Sequence, residues 1–342
     1  MRDPVRLPKA HLHVHLESTI RPGTLREICA GAGVEVPDRP VGGGAFAGFR
    51  AFADHNALVR ACLRRPEDFT RIAREFCADE AANGTAYAEV TFTAASHGER
   101  LGQPEMPLEA VLRGLAEGGE AYGVRCRVIL DHSRRRSVER ARRTLDLAVR
   151  YRDHGVVAMG MAGEETYPLA PFAGVLREAA EAGVHLVHHA GEAAGAASVR
   201  EAVGLGRAER LGHGIRVLDD PDLVAEVRER GIALEVCPSS NVALGFAPSL
   251  PEHPLPRLRA AGLAVTLNTD VPDVAGTTLA REYARVRAAF GWDDADLAEL
   301  ARASVAASFA PDDLKADLLR RVDTWLAAPD PDAEAAGSGA PR

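Results

Sequence analysis

Long apolar runs are missing from this sequence: none reaches about 18 residues, the length that a transmembrane helix needs. The first residues also lack the apolar core of a secretory signal peptide, because MRDPVRLPKAHLHVHL leads almost directly into a predicted strand. Basic residues are outnumbered as well, with 41 Lys and Arg against 49 Asp and Glu and a net charge of −8. We therefore expect a cytoplasmic protein whose main function is not to bind membranes or nucleic acid.

Cysteine is also scarce, and the five residues present are Cys29, Cys62, Cys77, Cys126 and Cys237. Their number is odd, they are widely spaced, and no two of them form a CxxC pair. This pattern is typical of reduced thiols in a cytoplasmic protein.

What the sequence does contain is a serial alternation of apolar or β-rich runs with amphipathic stretches. With 342 residues, 46% of them hydrophobic, it can bury the large core of an α/β barrel as a single unit. Eight strand–helix units in series predict a (β/α)8 TIM barrel, and a doubly wound open sheet is the rival. The predicted strands are 10–15, 86–92, 124–131, 156–163, 184–190, 210–214, 233–238 and 264–270.

The stretches outside the regular units set the domain organisation. A long helical connection, about residues 20–85, follows the first strand and is placed to cap the barrel mouth. Further helices are predicted over residues 293–326. We expect residues 1–326 to form one barrel domain with a helical insertion after strand 1 and C-terminal helices. Residues 327–342 are rich in Ala, Pro, Gly and acidic residues and are predicted to be disordered.

A histidine pair, His13 and His15, stands at the end of the first predicted strand. Because successive side chains of a strand point to opposite faces, both imidazoles face one way while Leu12 and Val14 face the other. Two imidazoles on one face of an apolar strand are costly to bury unless something binds them. Taken alone, the pair leaves two interpretations open, a divalent metal site or two satisfied core histidines.

Further polar residues fall at the carboxyl ends of three other predicted strands, where barrel enzymes build their sites. His189 and Glu192 end the fifth strand, His213 ends the sixth, and Asp270 ends the eighth. Singly, they could be a solvated pair, a helix cap or a turn, but their common position at one end of the barrel favours a metal site. Three histidines and one aspartate suit one Zn²⁺ ion per chain with an open position for water.

Two residues of this set are candidates for proton handling. A bound metal ion activates water as a nucleophile near neutral pH, and hydrolysis then needs a proton shuttle. Glu192 lies three residues after His189, where it can reach the barrel mouth without being a ligand. His213 has glycine on both sides, which permits close approach of a substrate. We expect it to orient the nucleophile or to stabilise the charge that develops during attack.

The order of the sequence motifs resembles that of adenosine deaminases and their relatives. The segments concerned are LPKAHLHVHLE, VVAMGMAGEE, HHAGE, RLGHGI, EVCPSSN and LNTD. With residues 268–283 and the helical stretch ASFAPDDLKADLLRRV, the resemblance covers about residues 7–325. It implies a (β/α)8 metallohydrolase acting on C–N bonds of cyclic amidines, which replaces a ring amino group with oxygen and releases ammonia.

The resemblance also implies roles for residues at the matching positions. The metal ligands it implies are His13, His15, His189 and Asp270. Asp270 would also be catalytic, and His15 would also lie close to the substrate. Glu192 would protonate the ring nitrogen beside the attacked carbon, and His213 would act on the nucleophile. Gly163 would offer its backbone N–H to a ring nitrogen, with glycine needed for close approach.

Two departures from the family pattern concern the substrate. Val271 stands where the family usually has an aspartate that contacts N7 of the purine, and valine cannot make this hydrogen bond. Glu17 and Ser18 stand where adenosine deaminases tend to have Asp-Gly, with the aspartate on a ribose hydroxyl. The expected substrate is adenosine or an adenosine-like 6-aminopurine nucleoside. The alternatives are adenine, a side-chain-extended deoxyadenosine or a modified nucleoside such as a deazapurine.

Two readings outside deamination stay open. One is an amidohydrolase that cleaves another C–N or ester bond, and the other is an inactive binding protein of deaminase-like fold. The complete set of candidate ligands and proton-handling residues disfavours the second. Three arginines follow the third strand, Arg134, Arg135 and Arg136. We interpret them either as part of a solvated loop or as a contact for an anionic substrate group. His11 is expected to be structural, on the face of His13 but one layer deeper in the barrel.

Overall fold

The structure is a computed structural model that describes residues 1–34 and 49–328, without the side chains of 49–53 and 55. Its centre is a parallel sheet of eight strands that pair in chain order. This order confirms the (β/α)8 barrel, and the open-sheet alternative is wrong. The strands are β1 (Lys9–His11), β2 (Thr85–Phe92), β3 (Arg125–Ser133), β4 (Val156–Ala162), β5 (His185–Ala190), β6 (Arg210–His213), β7 (Ala233–Val236) and β8 (Val265–Leu267).

The first and last strands meet through residues just beyond their carboxyl ends, which we call the seam. Val14 pairs with Asp270 in a parallel bridge. The N–H of His15 donates to the Asp270 carbonyl at 2.9 Å, and the N–H of Asp270 donates to the His13 carbonyl at 3.0 Å. Both strands are shorter than predicted because the chain leaves regular strand geometry before it reaches the seam.

Helices connect and surround the strands. The described residues form α1 (Pro22–Ala32), α2 (Phe49–Cys62), α3 (Pro66–Ala82), α4 (Ala94–Leu101), α5 (Met106–Tyr122), α6 (Val138–Arg150), α7 (Ala173–Glu181), α8 (Ala196–Gly204), α9 (Pro221–Glu229), α10 (Pro238–Ala243), α11 (Leu255–Ala260), α12 (Pro272–Ala275), α13 (Leu279–Phe290), α14 (Asp294–Ala307) and α15 (Asp312–Ala327). The long first connection is helical, as predicted, and so is the C-terminal region. No helix in the described ranges has both the length and the apolar character to cross a membrane.

The local sequence explains where these elements form. Strand β4, VVAMGMA, is buried at all but one position, because a parallel barrel strand is covered on one face by the interior and on the other by helices. Helix α13 ends at Gly291, whose φ of 65° suits glycine. Helix α14 then begins with Asp293, which accepts from the N–H of Asp296 while Asp296 accepts from the N–H of Asp293.

The proposed domain limits stay a prediction. The single barrel domain of residues 1–326 agrees with helices that continue as far as Ala327. The predicted disordered tail, 327–342, lies outside the described residues from position 329 onward.

Candidate metal centre and active site

Four of the predicted site residues meet at the carboxyl end of the barrel, around the seam. They are His13, His15, His189 and Asp270, whose candidate ligand atoms all lie within 4.8 Å of one another. Nε2 of His15 lies 3.2 Å from Nε2 of His189 and 3.3 Å from Oδ1 of Asp270. Nε2 of His13 lies 3.5 Å from the same Oδ1. The four side chains therefore point at a common position.

These separations fit a single metal ion. Bonds of about 2.0–2.1 Å from a tetrahedral zinc ion place two ligand atoms about 3.3 Å apart. Nε2 of His13 is buried and has no hydrogen-bond partner among the described residues, and a cation at the common position would contact it. Burial lowers the pKa of His13, but the carboxylates of Asp270 and Glu235 outweigh this effect and raise it to about 10. The two carboxylates thus place negative charge around His13, which would also stabilise a metal cation bound to the neutral ring.

Behind His13, a chain of buried charges fixes the ring. Nδ1 of His13 donates to Oε2 of Glu235 at 2.8 Å, and Oε1 of Glu235 accepts from Nε of Arg210 at 2.7 Å. Arg210 also donates to Glu89, and all three charged side chains are at most 2% exposed. Since Nδ1 carries the proton, Nε2 is the atom left for a metal. The sequence analysis missed these three residues, although charged residues within or at the start of apolar strands were a signal.

Asp270 is held in a strained conformation at the seam. Its φ of 57° lies in the left-handed region, which non-glycine residues rarely adopt. Oγ of Ser240 donates to Oδ2 of Asp270 at 2.6 Å, which leaves Oδ1 to face His13 and His15. Ser240 was not predicted as a site residue, although it belongs to the motif EVCPSSN.

Glu192 lies beside the metal centre as a buried carboxyl group. Burial raises its pKa well above the usual range, and the negative charges of Asp270 and Glu165 add to this effect. Nδ2 of Asn241 donates to Oε1 of Glu192 at 2.7 Å, and Oδ1 of Asn241 lies 3.1 Å from Nε2 of His253. Glu192 is therefore an oriented acid that keeps its proton, as donation to a substrate requires.

His213 contacts the same asparagine and also has a left-handed backbone, with a φ of 65°. Nδ2 of Asn241 lies 3.3 Å from Nδ1 of His213, so Nδ1 accepts and the proton resides on Nε2. Burial and the charge of His13 lower the pKa of His213 to about 3, which keeps the ring neutral. Its Nε2 is buried without a partner in the described part of the chain and can hydrogen-bond a nucleophile at the centre.

The loop that carries Glu192 is held by Glu165, which the sequence analysis did not single out. The Glu165 carboxylate accepts from the N–H groups of Gly191, Glu192 and Ala193 at 2.6, 2.9 and 2.8 Å. It also accepts from Oγ of Ser198 at 2.6 Å. Four donors on one buried carboxylate fix the backbone from which the Glu192 side chain extends.

A cavity of about 730 Å³ opens over the metal centre. Gly163 lines it with a φ of 86°, and a Cβ at this position would come within 2.9 Å of Oγ of Ser133, so the backbone requires glycine. Val271 and Leu244 line another part and belong to a buried apolar cluster. Helix α2 also contributes to the lining, as expected for an insertion that caps the barrel mouth.

Glu17 lines the cavity too, but the protein already engages its carboxylate. Oε1 of Glu17 accepts from Nε2 of His97 at 3.1 Å and from the N–H of Thr93 at 3.4 Å. Burial raises the pKa of Glu17, but the hydrogen bond from His97 and nearby positive charge, including that of Arg60, outweigh it and lower the pKa to about 2. Glu17 is therefore an ionised group that His97 positions. No sequence signal pointed to His97.

The three arginines after β3 divide into two kinds. Arg134 is only 3% exposed and donates to the backbone carbonyl of His189, so the solvated-loop interpretation is wrong for this residue. Its second contact, 3.5 Å to the carbonyl of Tyr167, ties two loops of the barrel mouth together. Arg135 and Arg136 are exposed and line the cavity.

The expectation for His11 needs a correction as well. The residue is buried and structural, as expected, but it does not share the face of His13. Its Nδ1 lies 3.0 Å from Oε1 of Glu80 on α3, and its Nε2 lies 3.0 Å from Oγ1 of Thr269. Strict alternation fails here because β1 ends at His11, so the chain changes course before His13.

Known proteins of similar sequence and structure were compared with this chain. The family model described as adenosine deaminase matches residues 8–325. Aminodeoxyfutalosine deaminase of Streptomyces coelicolor is 38% identical over 330 residues, which cover 94% of this chain and 85% of that protein. Adenine deaminase of Rhizobium leguminosarum bv. trifolii is 33% identical over 325 residues, 93% of this chain and 99% of that protein. The crystal structure of adenine deaminase from Arthrobacter aurescens has a TM-score of 0.88 at 30% identity and covers 94% of this chain and 100% of its own.

Proposed function

Because this chain belongs to the adenosine deaminase family and is a hydrolytic deaminase of C–N bonds, we propose that it uses zinc to remove the amino group of a 6-aminopurine nucleoside. The products are the corresponding 6-oxo compound and ammonia. The observation that carries the proposal is the position of Glu192, a carboxyl group with a raised pKa next to a four-ligand centre.

Each polar group of the site has a task in this reaction. The residues that would hold the metal are His13, His15, His189 and Asp270. When bound, zinc supplies Lewis-acid activation of water near neutral pH. His213 directs its Nε2 proton toward the attacking oxygen, and Glu192 donates its carboxyl proton to the ring nitrogen beside the attacked carbon. Gly163 binds the purine edge through its N–H.

The cavity supports a nucleoside rather than a free base. It extends beyond the metal centre, past Gly163 and Ser133, to the side chains of helices α4 and α6. Glu17 would contact the sugar, as the matching position does in the family. Free adenine is the second candidate, because a relative that is 33% identical over nearly its whole length is named adenine deaminase.

Metal analysis and ammonia release test the proposal. We expect purified protein to hold one zinc ion per chain and to release ammonia from at least one of adenosine, deoxyadenosine, adenine and 7-deazaadenosine. Glu192→Gln should keep the zinc and lose about 10²–10⁴-fold in kcat, because the amide cannot supply the proton. Glu181→Gln, an exposed glutamate of α7, is the matched control and should be as active as the wild type. Protein without zinc that deaminates none of the four compounds would contradict the proposal.

A further inference from the structure

The outer part of the cavity is unusually basic for a chain of net charge −8. We call this part the arginine lobe. It lies beyond Gly163 and Ser133, between helices α4 and α6 and the end of α2. The arginines that line it are Arg60, Arg100, Arg135, Arg136, Arg140 and Arg143.

Carboxylates balance these charges only in part. Glu99 is shared between two guanidinium groups, with Arg140 at 2.9 Å and Arg143 at 3.4 Å. Arg135 and Glu164 are 3.6 Å apart, a long contact between partly exposed side chains. Asp54, Glu17 and Asp131 line the cavity as well, and the charge of Arg60 acts on the last two. The excess of positive charge therefore lies near α6, where Glu99 and Glu164 are set against Arg135, Arg136, Arg140 and Arg143.

One arginine of the lobe has no acidic partner. Arg136 lines the cavity and makes no ion pair with a carboxylate in the described part of the chain. Arg100 donates to the backbone carbonyl of Leu63 and lies 3.3 Å from His97, so it is held in place by neutral groups. The lobe therefore holds positive charge that carboxylates compensate only in part, and some of it is positioned by the protein.

The same charges are placed unfavourably for the fold itself. Arg135 and Arg136 directly precede helix α6, where the partial positive charge of the helix N-terminus repels cations. Arg140 and Arg143, three residues apart on one face of α6, continue this positive surface along the cavity. An anion bound between these arginines would reduce both their repulsion by the helix N-terminus and their repulsion of one another.

A buried imidazole lies beside the lobe. His132, at the end of β3, is 5% exposed and lines the cavity. Burial lowers the pKa of His132 to about 4, and the charges of Arg136 and Arg140 act in the same direction, although a hydrogen bond to the backbone of Ser137 opposes this effect. The ring is therefore neutral, and the positive charge at this end of the cavity comes from the arginines.

We propose that the arginine lobe binds an anionic group, a phosphate or a carboxylate, that the substrate carries beyond its purine ring. Arg136 and Arg140 hold this group from the side of α6. The inference rests on the proposed function and narrows it, because the preferred substrate becomes an acidic derivative of a 6-aminopurine nucleoside. Arginine suits this task since its planar fork matches both oxyanions.

Steady-state kinetics with neutral and anionic nucleosides test the inference. The compounds are adenosine, adenosine 5′-monophosphate and adenosine 5′-carboxylic acid, with the neutral 5′-carboxamide as a size control. We expect a KM at least about tenfold lower for one or both anions than for the two neutral compounds, as hydrogen bonds to charged groups imply. The anion with the lower KM identifies the group, phosphate or carboxylate, that the lobe binds. Equal KM values for all four compounds would overturn the inference.

Substitutions in the arginine lobe distinguish its effect on the anionic group from an effect on the rest of the site. The double variant Arg136→Gln/Arg140→Gln should raise the KM of the preferred anion about tenfold or more and leave the KM of adenosine within about twofold. Arg142→Gln is the matched control, because Arg142 lies on the same helix, pairs with Glu178 and does not line the cavity. An equal rise of KM for adenosine and for the anion would mean that the arginines act on the fold and not on the anion.

Binding measured by titration calorimetry tests the arginine lobe independently of the proposed reaction. Binding of inosine 5′-monophosphate, of inosine 5′-carboxylic acid and of inosine can be measured whether or not any compound is deaminated. Tighter binding of either anion than of inosine, lost in the double variant, would support the lobe even if the reaction failed. Equal binding of all three compounds, together with turnover of adenosine, would contradict the lobe and leave the reaction intact.

Discussion

Nδ1 of His13 donates a hydrogen bond to Oε2 of Glu235 at 2.8 Å, and both side chains are buried. Because this bond fixes the ring, we expect Glu235→Gln to weaken metal binding about 10–100-fold and to lower activity in parallel. The glutamine can still meet Nδ1, but it loses the charge that stabilises the metal-bound ring and that pairs with Arg210. Metal retained after dialysis against graded chelator measures the affinity.

An exposed pair of the same type is the control for this prediction. His185 and Glu209 are also 2.8 Å apart, but each side chain is more than 40% exposed and lies away from the centre. Glu209→Gln should leave metal content and kcat unchanged. If both variants lose metal equally, the buried charge of Glu235 has no special role.

We expect Glu165 to influence kcat through the loop that carries Glu192, without contacting the substrate itself. In Glu165→Gln the side-chain NH2 would face backbone N–H donors, so the loop carrying Glu192 would shift. We expect a lower kcat, retained zinc and a free energy of unfolding lower by about 1–3 kcal/mol. Ser198→Ala removes only one of the four donors and should cost about 1 kcal/mol with a smaller loss of kcat. A loss of zinc in Glu165→Gln would contradict this positioning role.

Val271→Asp tests the altered purine contact. The aspartate restores a polar group beside the purine, so we expect a higher kcat/KM for adenosine. The gain should be absent with 7-deazaadenosine, which has carbon in place of N7. Because Val271 is 1% exposed within an apolar cluster, the variant should also lose about 1–3 kcal/mol of stability. Val271→Ile, an apolar control that cannot hydrogen-bond N7, should not raise kcat/KM for either nucleoside. Equal gains with both nucleosides would show that N7 is not involved.

Lys9 makes stability depend on pH. Burial lowers its pKa from 10.5 to about 7, although Glu80 opposes this effect. Between these values the unfolded chain holds a proton that the folded chain has lost, so the free energy of unfolding should rise with pH. Relative to Lys9→Met, this rise should reach about 1.4 kcal/mol per pH unit. Urea unfolding of both proteins across the range measures it.

The other lysine of the chain provides the control. Lys315 lies half-buried on α15, and urea unfolding of Lys315→Met shows how much of any change in Lys9→Met comes merely from replacing a lysine by methionine. A wild-type curve parallel to that of Lys9→Met would mean that Lys9 remains charged in the folded protein.

The barrel, and the meeting of His13, His15, His189 and Asp270 at one end of it, could be predicted from the sequence because both follow from local patterns. A strand buried on both faces must be an apolar run, and the site residues directly follow such runs. The predicted β1 was too long, since nothing in the residues 10–15 shows that the chain leaves strand geometry after His11 to reach the seam.

The residues that orient the site were missed because their partners are distant in sequence. Glu235 lies 222 positions from His13, and Asn241 lies 49 positions from Glu192. Such contacts exist only once the barrel has formed. Glu165 belongs to the motif VVAMGMAGEE, but its position next to Glu164 does not indicate that four hydrogen-bond donors converge on its carboxylate.

The seam also brings together residues that are synthesised far apart in time. His13 and His15 emerge from the ribosome early, but Asp270 follows some 255 residues later, and its backbone completes their surroundings. If these residues hold a metal as proposed, the site is complete only when the eighth strand has joined the first. Bound metal would then indicate that the barrel has closed.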